Sequence, residues 1–183
     1  MGPWACPALA QGTPTPAELL PKLETEATAD QAVEQLRKLA QSDPAARRFL
    51  IVHLPPIIEA GPKIHTQAWR SAVQLAGDLR MVEAAPALAK WLGVDTGSDI
   101  SDMHPEARLE HNSPGKALFQ IGDPAIPFVQ PVLAHGTLRE RWTAAYVLNR
   151  IDSGQARGAL RKHLTENEPD STLRDFIKQV LSK

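Results

Sequence analysis

The stretch PGKALFQIGDPAIPFVQPVL, residues 114–133, decides how this chain reads. It holds two short apolar stripes at helical spacing, Leu118 to Ile121 and then Ala125, Val129 and Leu133, parted by the corner Gly122-Asp123-Pro124. Each corner residue suits a helix boundary for its own reason. Gly122 tolerates the left-handed cap that ends a helix, Asp123 can accept from free amides, and Pro124 fits a first helical turn, where a missing N–H costs little. The stretch therefore predicts a helix pair.

Sliding the sequence against itself shows that the pair recurs. A shift of 30 to 31 positions toward the C-terminus carries Leu118, Ile121, Ala125, Val129 and Leu133 onto Leu148, Ile151, Ala156, Leu160 and Leu164. A shift of 41 to 42 positions the other way lands on Ala76, Leu79, Ala84, Leu88 and Leu92. Every one of these positions is apolar. A partial further copy follows at 33 positions, where Arg141, Ala144, Val147 and Leu148 recur as Arg174, Ile177, Val180 and Leu181. A repeat of this period marks stacked helix pairs, because one pair cannot bury its apolar stripe alone. The longer spacing implies an insertion between units, at 93–113.

Bulk properties narrow the possibilities further. With 183 residues, 43% hydrophobic and 22% charged, the chain is long enough for one domain with a real core, taken here as 16–183. A formal charge of −1 gives no global basic field for nonspecific attraction to nucleic acid or membranes. Nothing is long and apolar enough to span a bilayer. Sixteen prolines are compatible with helices, since Pro16, Pro44, Pro124 and Pro169 precede or begin expected ones.

Residues 1–15 read as an unstructured terminus. Ala8-Leu9-Ala10 before Gln11 matches the small-x-small end of a secretory signal, so the expected location is exported, periplasmic or secreted, with a cytoplasmic protein as the alternative. The single cysteine, Cys6, lies in this piece, so a mature exported form would have no thiol. Helices are then expected at 17–27 and 29–41, the second opened by a Thr28/Gln31 capping box. Another runs from Asp43-Pro44 through Leu54. Its run of Phe49, Leu50, Ile51 and Val52 predicts burial on nearly all sides, and Pro55-Pro56 predicts a break or kink.

The insertion at 93–113 carries Asp95, Asp99, Asp102, Glu106 and Glu110 against Arg108 alone. Its Asp95-Thr96-Gly97-Ser98 spells the aspartic-protease tetrapeptide, but that chemistry needs two such aspartates on a β scaffold, and one copy stands at a helix end. A divalent cation on Asp95, Asp99, Asp102, His104 and His111 is an alternative, although the spacing matches neither an EF-hand nor a HExxH helix. His53, His65, His135 and His163 are expected on helix ends or surfaces. No serine stands in a nucleophile elbow.

The spacing of Arg141, Ala144, Ala145, Leu148 and Ile151, then Ala156, Leu160 and Leu164, then Leu173, Arg174, Ile177, Val180 and Leu181 resembles HEAT-like repeats of the phycobilisome-lyase type. The string IGDPAIP at 121–127 is similar to their interhelical turn, and the likeness covers 67–181. The resemblance implies an all-α fold, a right-handed α-solenoid of stacked antiparallel helix pairs (HEAT/ARM-like), whose second helices line a concave surface that holds other macromolecules. Some members act on bilin chromophores, a link that only the repeat itself carries here. The motif positions are structural and transfer no catalytic residue.

The expectation is a non-catalytic, monomeric scaffold without cofactor or metal that binds another protein or peptide. Aligned second helices place Lys90, Trp91, Gln130, Arg161 and Lys162 as partner contacts, with Trp91 either an aromatic anchor or packed on the neighbouring unit. Trp69 and Trp142 align at the starts of first helices and read as structural. Nucleic-acid binding is the second alternative, since residues 138–183 carry nine cations against six anions and Trp91 could stack a base.

Overall fold

The computed structural model describes residues 14–63, 66–94, 112–166 and 168–183. These are helical, with no strand among them. In chain order they form α1 (Pro16–Leu19), a 3-10 turn (Leu20–Glu24), α2 (Glu26–Ser42), α3 (Pro44–Ala60) and α4 (Thr66–Asp78). A 3-10 turn (Val82–Ala84) leads into α5 (Ala85–Ala89), α6 spans Ser113–Ile121, and a second such turn (Asp123–Ala125) leads into α7 (Ile126–His135). The chain closes with α8 (Leu138–Ile151), α9 (Gly154–Thr165) and α10 (Ser171–Leu181).

Contacts follow two series. The even-numbered helices touch in succession, α2 to α4, α4 to α6, α6 to α8 and α8 to α10, while α3, α5, α7 and α9 do the same among themselves. The aligned apolar positions are what these contacts bury. Ala76, Leu79, Ala84, Leu88 and Leu92 are buried, as are Leu118, Ile121, Ala125, Val129 and Leu133 and then Leu148, Ala156 and Leu160. Ile151 and Leu164 are partly buried against the same core. Ala84 and Ala125 both close the 3-10 turn before the next helix, and Ala156 sits in the first turn of α9.

The turns that follow α4, α6 and α8 each contain one residue of positive φ. Shifts of 42 and 30 positions connect Arg80, Gly122 and Asp152, and all three have positive φ, at 49°, 83° and 50°. At the first, the Met81 N–H reaches back to the Ala76 carbonyl (2.9 Å) and the Arg80 N–H to that of Gly77 (2.9 Å), which satisfies carbonyls the helix end would leave free. Only one unit uses glycine at this position.

Side chains fasten the units at specific points. Trp69 is fully buried and its indole N–H donates to the Ile58 carbonyl (3.1 Å), tying α4 to the last turn of α3. Buried Asn112 spans the ends of the insertion. Its Oδ1 accepts from the Gly115 N–H (2.7 Å) to cap α6, and its Nδ2 donates to the Leu92 carbonyl (2.8 Å). The chain thus leaves and rejoins the stack at points held together by one side chain, and α5 still packs on α6.

Three local expectations are corrected. The Thr28/Gln31 capping box does not form. α2 starts at Glu26, and the Thr28 hydroxyl donates to the carbonyls of Lys22 (2.8 Å) and Thr25 (3.3 Å), because burial of Leu19 and Leu23 winds residues 20–24 into a tight turn. Capping boxes stand instead at Thr15/Glu18 and Thr137/Glu140. Next, Pro55-Pro56 does not break α3, which continues to Ala60 before ending at Gly61, φ +82°. Its buried stripe is Ala46, Leu50, Leu54 and Ile58. The prolines cannot donate to the carbonyls of Ile51 and Val52; Val52 and Pro56 are exposed, so at least one of these lost bonds lies on a side open to water. Finally, α3 is one-sided, not sandwiched, since Val52 is 65% exposed.

Candidate functional site

A cleft of about 670 Å³ opens between α7 and α9. Gln130, from α7, and Lys162, from α9, both line it, so two of the five expected contact residues meet there. The wall of α7 is polar only at Gln130 and His135, because its other residues are apolar and its prolines lack an amide. Lys162 stands at the rim with its side chain 71% exposed and reaches Glu166 across 3.6 Å. Arg161, the preceding residue of α9, is exposed and lies outside the cleft lining.

Beneath the cleft lies a polar network that sequence reasoning missed. Glu168 is buried, and its carboxylate accepts from Arg141 Nε and Nη2 (3.1 Å each), from the Asp170 N–H (2.8 Å) and from His163 Nε2 (2.6 Å). Burial alone would raise the Glu168 pKa and is the largest single influence. The Asp170 amide, His163 and Arg141 together outweigh it and hold the carboxyl below its ordinary value. Four donors on one carboxylate make it a fixed structural anion. His163, expected at a helix end or surface, lies in the last turn of α9 and is buried there, where its ring completes this network.

The signal that could have revealed the network was the repeated arginine. Arg141 Nη1 donates to the Gly136 carbonyl (3.0 Å), and Arg174 donates through Nε to the Glu168 carbonyl (3.1 Å) and through Nη2 to that of Pro169 (3.3 Å). Both arginines bind a carbonyl five residues back, in the loop that precedes their own helix. In addition, both hold the segment around Glu168, so the α9–α10 connection is gripped from two successive units.

Lys90 and Trp91 occupy a separate corner at the end of α5. Lys90 Nζ is 3.5 Å from Glu59 Oε1 and 5.9 Å from the Trp91 ring centroid. The Trp91 ring lies against Gly61, where a Cβ would overlap it, so the indole packs α5 onto the end of α3. Its Nε1 is buried and has no partner among the described residues. Trp91 thus packs on the neighbouring unit, with its side chain half-buried. Trp142 stacks on Tyr146, with centroids 5.6 Å apart, and meets Phe176 at 5.4 Å, which joins α8 to α10.

A second cleft, of about 660 Å³, lies in the even-numbered series and is lined by Arg37, Gln74, Asp78, Arg80, Phe119 and Gln120. Arg37 is bound there to Asp78 (2.6 Å) and to Glu34. The metal candidates Asp95, Asp99, Asp102, His104 and His111, the tetrapeptide at 95–98, His65, and the N-terminal Cys6 and Ala8-Leu9-Ala10 lie outside the described residues. Among the described residues, no group of three or more His, Cys, Asp or Glu is placed to hold a metal, and no helix is long and apolar enough to cross a membrane. No family model matches this chain, and no curated protein or solved structure does so either.

Proposed function

We propose that this protein is a scaffold or adaptor without catalytic activity, a right-handed α-solenoid of HEAT-like helix pairs that holds another protein or peptide on a concave face lined by its second helices, α3, α5, α7 and α9. The observation that carries this reading is the burial of one set of aligned positions in successive helix pairs. A residue of positive φ also follows the first helix at Arg80, Gly122 and Asp152. Stacked repeats of this kind present a long continuous surface, and their uncovered helices are where partners bind. Along that side, Lys90, Arg161 and Lys162 are exposed and Gln130 is half-buried, a set able to hydrogen-bond a partner at several rungs at once.

The test is capture followed by reconstitution. Tagged protein retains a partner from an extract of the source organism, and that partner, purified separately, binds the wild-type chain directly and binds Lys90→Ala and Arg161→Ala variants more weakly. Direct binding that ignores every substitution on this side, or no direct binding by any retained protein, refutes the reading. Deleting residues 96–101 leaves capture largely intact if the solenoid surface does the binding, and abolishes it if the acidic insertion does.

A further inference from the structure

The α7–α9 cleft offers a guest both halves of a main-chain hydrogen-bond pair. Pro127, Gln130, Pro131 and Ala134 stand at i, i+3, i+4 and i+7 along α7 and all line the cleft, so they form one stripe that faces it. A helical carbonyl points toward the residue four places on, whose N–H it normally receives. For Pro127 that residue is Pro131, inside the helix, which has no N–H to give. The Pro127 carbonyl is therefore an acceptor on the cleft wall that the regular bonding of its own helix leaves unpaired.

The matching donors belong to Arg141 and Gln130. Arg141 lines the cleft with its side chain 15% exposed. Glu168 accepts from Nε and from Nη2, and the Gly136 carbonyl from Nη1, so these bonds leave one N–H on each Nη. A guanidinium held in this way loses little freedom when a guest accepts from it. The Gln130 amide, on the α7 stripe, adds a donor of its own. Charge in the cleft is balanced. Arg141 is matched by Glu168 (3.1 Å) and Lys162 by Glu166 (3.6 Å), so a carboxylate or ammonium would give up hydration and meet no unmatched opposite. Among the described lining residues there is also no Phe, Tyr or Trp on which a nucleobase could stack.

We propose that this cleft binds an uncharged, extended segment of a partner protein by its main chain, one backbone N–H donating to the Pro127 carbonyl and neighbouring backbone carbonyls accepting from Gln130 and Arg141. The proposal rests on the scaffold reading and gives the partner's chemistry. An extended chain carries N–H and C=O groups in alternation and so supplies both halves of the pair. The stripe from Pro127 to Ala134 covers about 10 Å of helix axis, which three or four extended residues span at about 3.3 Å each. The rings of Pro127 and Pro131 and the methyl of Ala134 give the segment an apolar wall to lie against.

The test uses three bead-bound pools of end-capped octapeptides, probed with the fluorescently labelled full chain. One pool is built from Ala, Ser, Thr, Asn, Gln and Val, the second adds Asp and Glu, and the third adds Lys and Arg. The uncharged pool is expected to retain the most protein, and N-methylation of single backbone amides in its best peptide, resynthesised and titrated by anisotropy, should locate one or two whose loss abolishes binding. Pro131→Ala is the deciding variant, because it restores the N–H that pairs with the Pro127 carbonyl inside the helix. It should melt above wild type and bind the peptide about three- to tenfold more weakly. The proposal is overturned by no retention on the uncharged pool, by stronger retention on a charged one, by indifference to every N-methylation, or by a Pro131→Ala variant with unchanged affinity or no gain in melting temperature. If no pool binds while a purified partner still binds in a manner sensitive to Lys90→Ala, the scaffold reading stands and the main-chain cleft falls. If both fail, both fall.

Discussion

Arg80 and Gly122 occupy the same place in successive units, and exchanging their residue types is expected to move stability in opposite directions. Arg80 has φ +49°, a conformation that costs an L-residue about 1–2 kcal/mol. Its side chain is exposed, so Arg80→Gly removes the strain with little loss of packing. Glycine adds disorder to the unfolded chain, which offsets about 0.4–1 kcal/mol of that gain. The net expectation is a stabilisation of about 0.5–1 kcal/mol. Gly122 has φ +83° and ψ −146°, and a Cβ there would meet no atom within 4 Å. The whole penalty of Gly122→Ala is therefore conformational, about 1–3 kcal/mol before the same unfolded-state term is subtracted. Urea unfolding of both variants measures the effect through the midpoint at unchanged slope, and thermal melts should separate the two by several degrees, at about 2–4 °C per kcal/mol. A destabilised Arg80→Gly, or a Gly122→Ala as stable as wild type, would refute the assignment of positive-φ strain at these two positions.

Other substitutions probe the packing and the polar network. Leu160→Ala, at a fully buried position on α9, should cost about 2–5 kcal/mol in denaturant unfolding. Asn112→Ala removes an N-cap and leaves the buried Leu92 carbonyl without its donor, for a loss of about 2–4 kcal/mol by the same assay. Glu168→Gln breaks the anchored anion beneath Arg141 and should cost about 3 kcal/mol at neutral pH. Because the folded-state pKa of Glu168 is depressed, its contribution is complete above the unfolded value of 4.5 and is lost as pH falls through the lower folded value. Unfolding curves collected from pH 7 downward should therefore converge for wild type and Glu168→Gln on the acid side of 4.5, and parallel curves throughout would contradict the assignment.

The amino-acid order alone determined the helical class, the recurring unit and its buried rungs. Ala84, Ala125, Ala156 and their apolar companions are legible because burial of a helix stripe imposes a spacing of three and four residues on the chain itself, and a repeated unit imposes it again at a constant offset. Helix ends were less legible where tertiary burial competes with local preference. The Thr28 box gave way to burial of Leu19 and Leu23, and α3 ran through Pro55-Pro56 because burial of Leu54 and Ile58 holds the helix on either side of the prolines.

Only the folded chain decided the polar arrangement. The repeated arginines Arg141 and Arg174 marked two of the donors, but their spacing did not name Glu168 or His163 as partners, since hydrogen-bond partners are chosen by distance and direction in space. The same holds for Trp91. The sequence reading puts it inside a second helix beside the core stripe, and only the fold shows α5 ending at Ala89 and the ring lying against Gly61, thirty residues away.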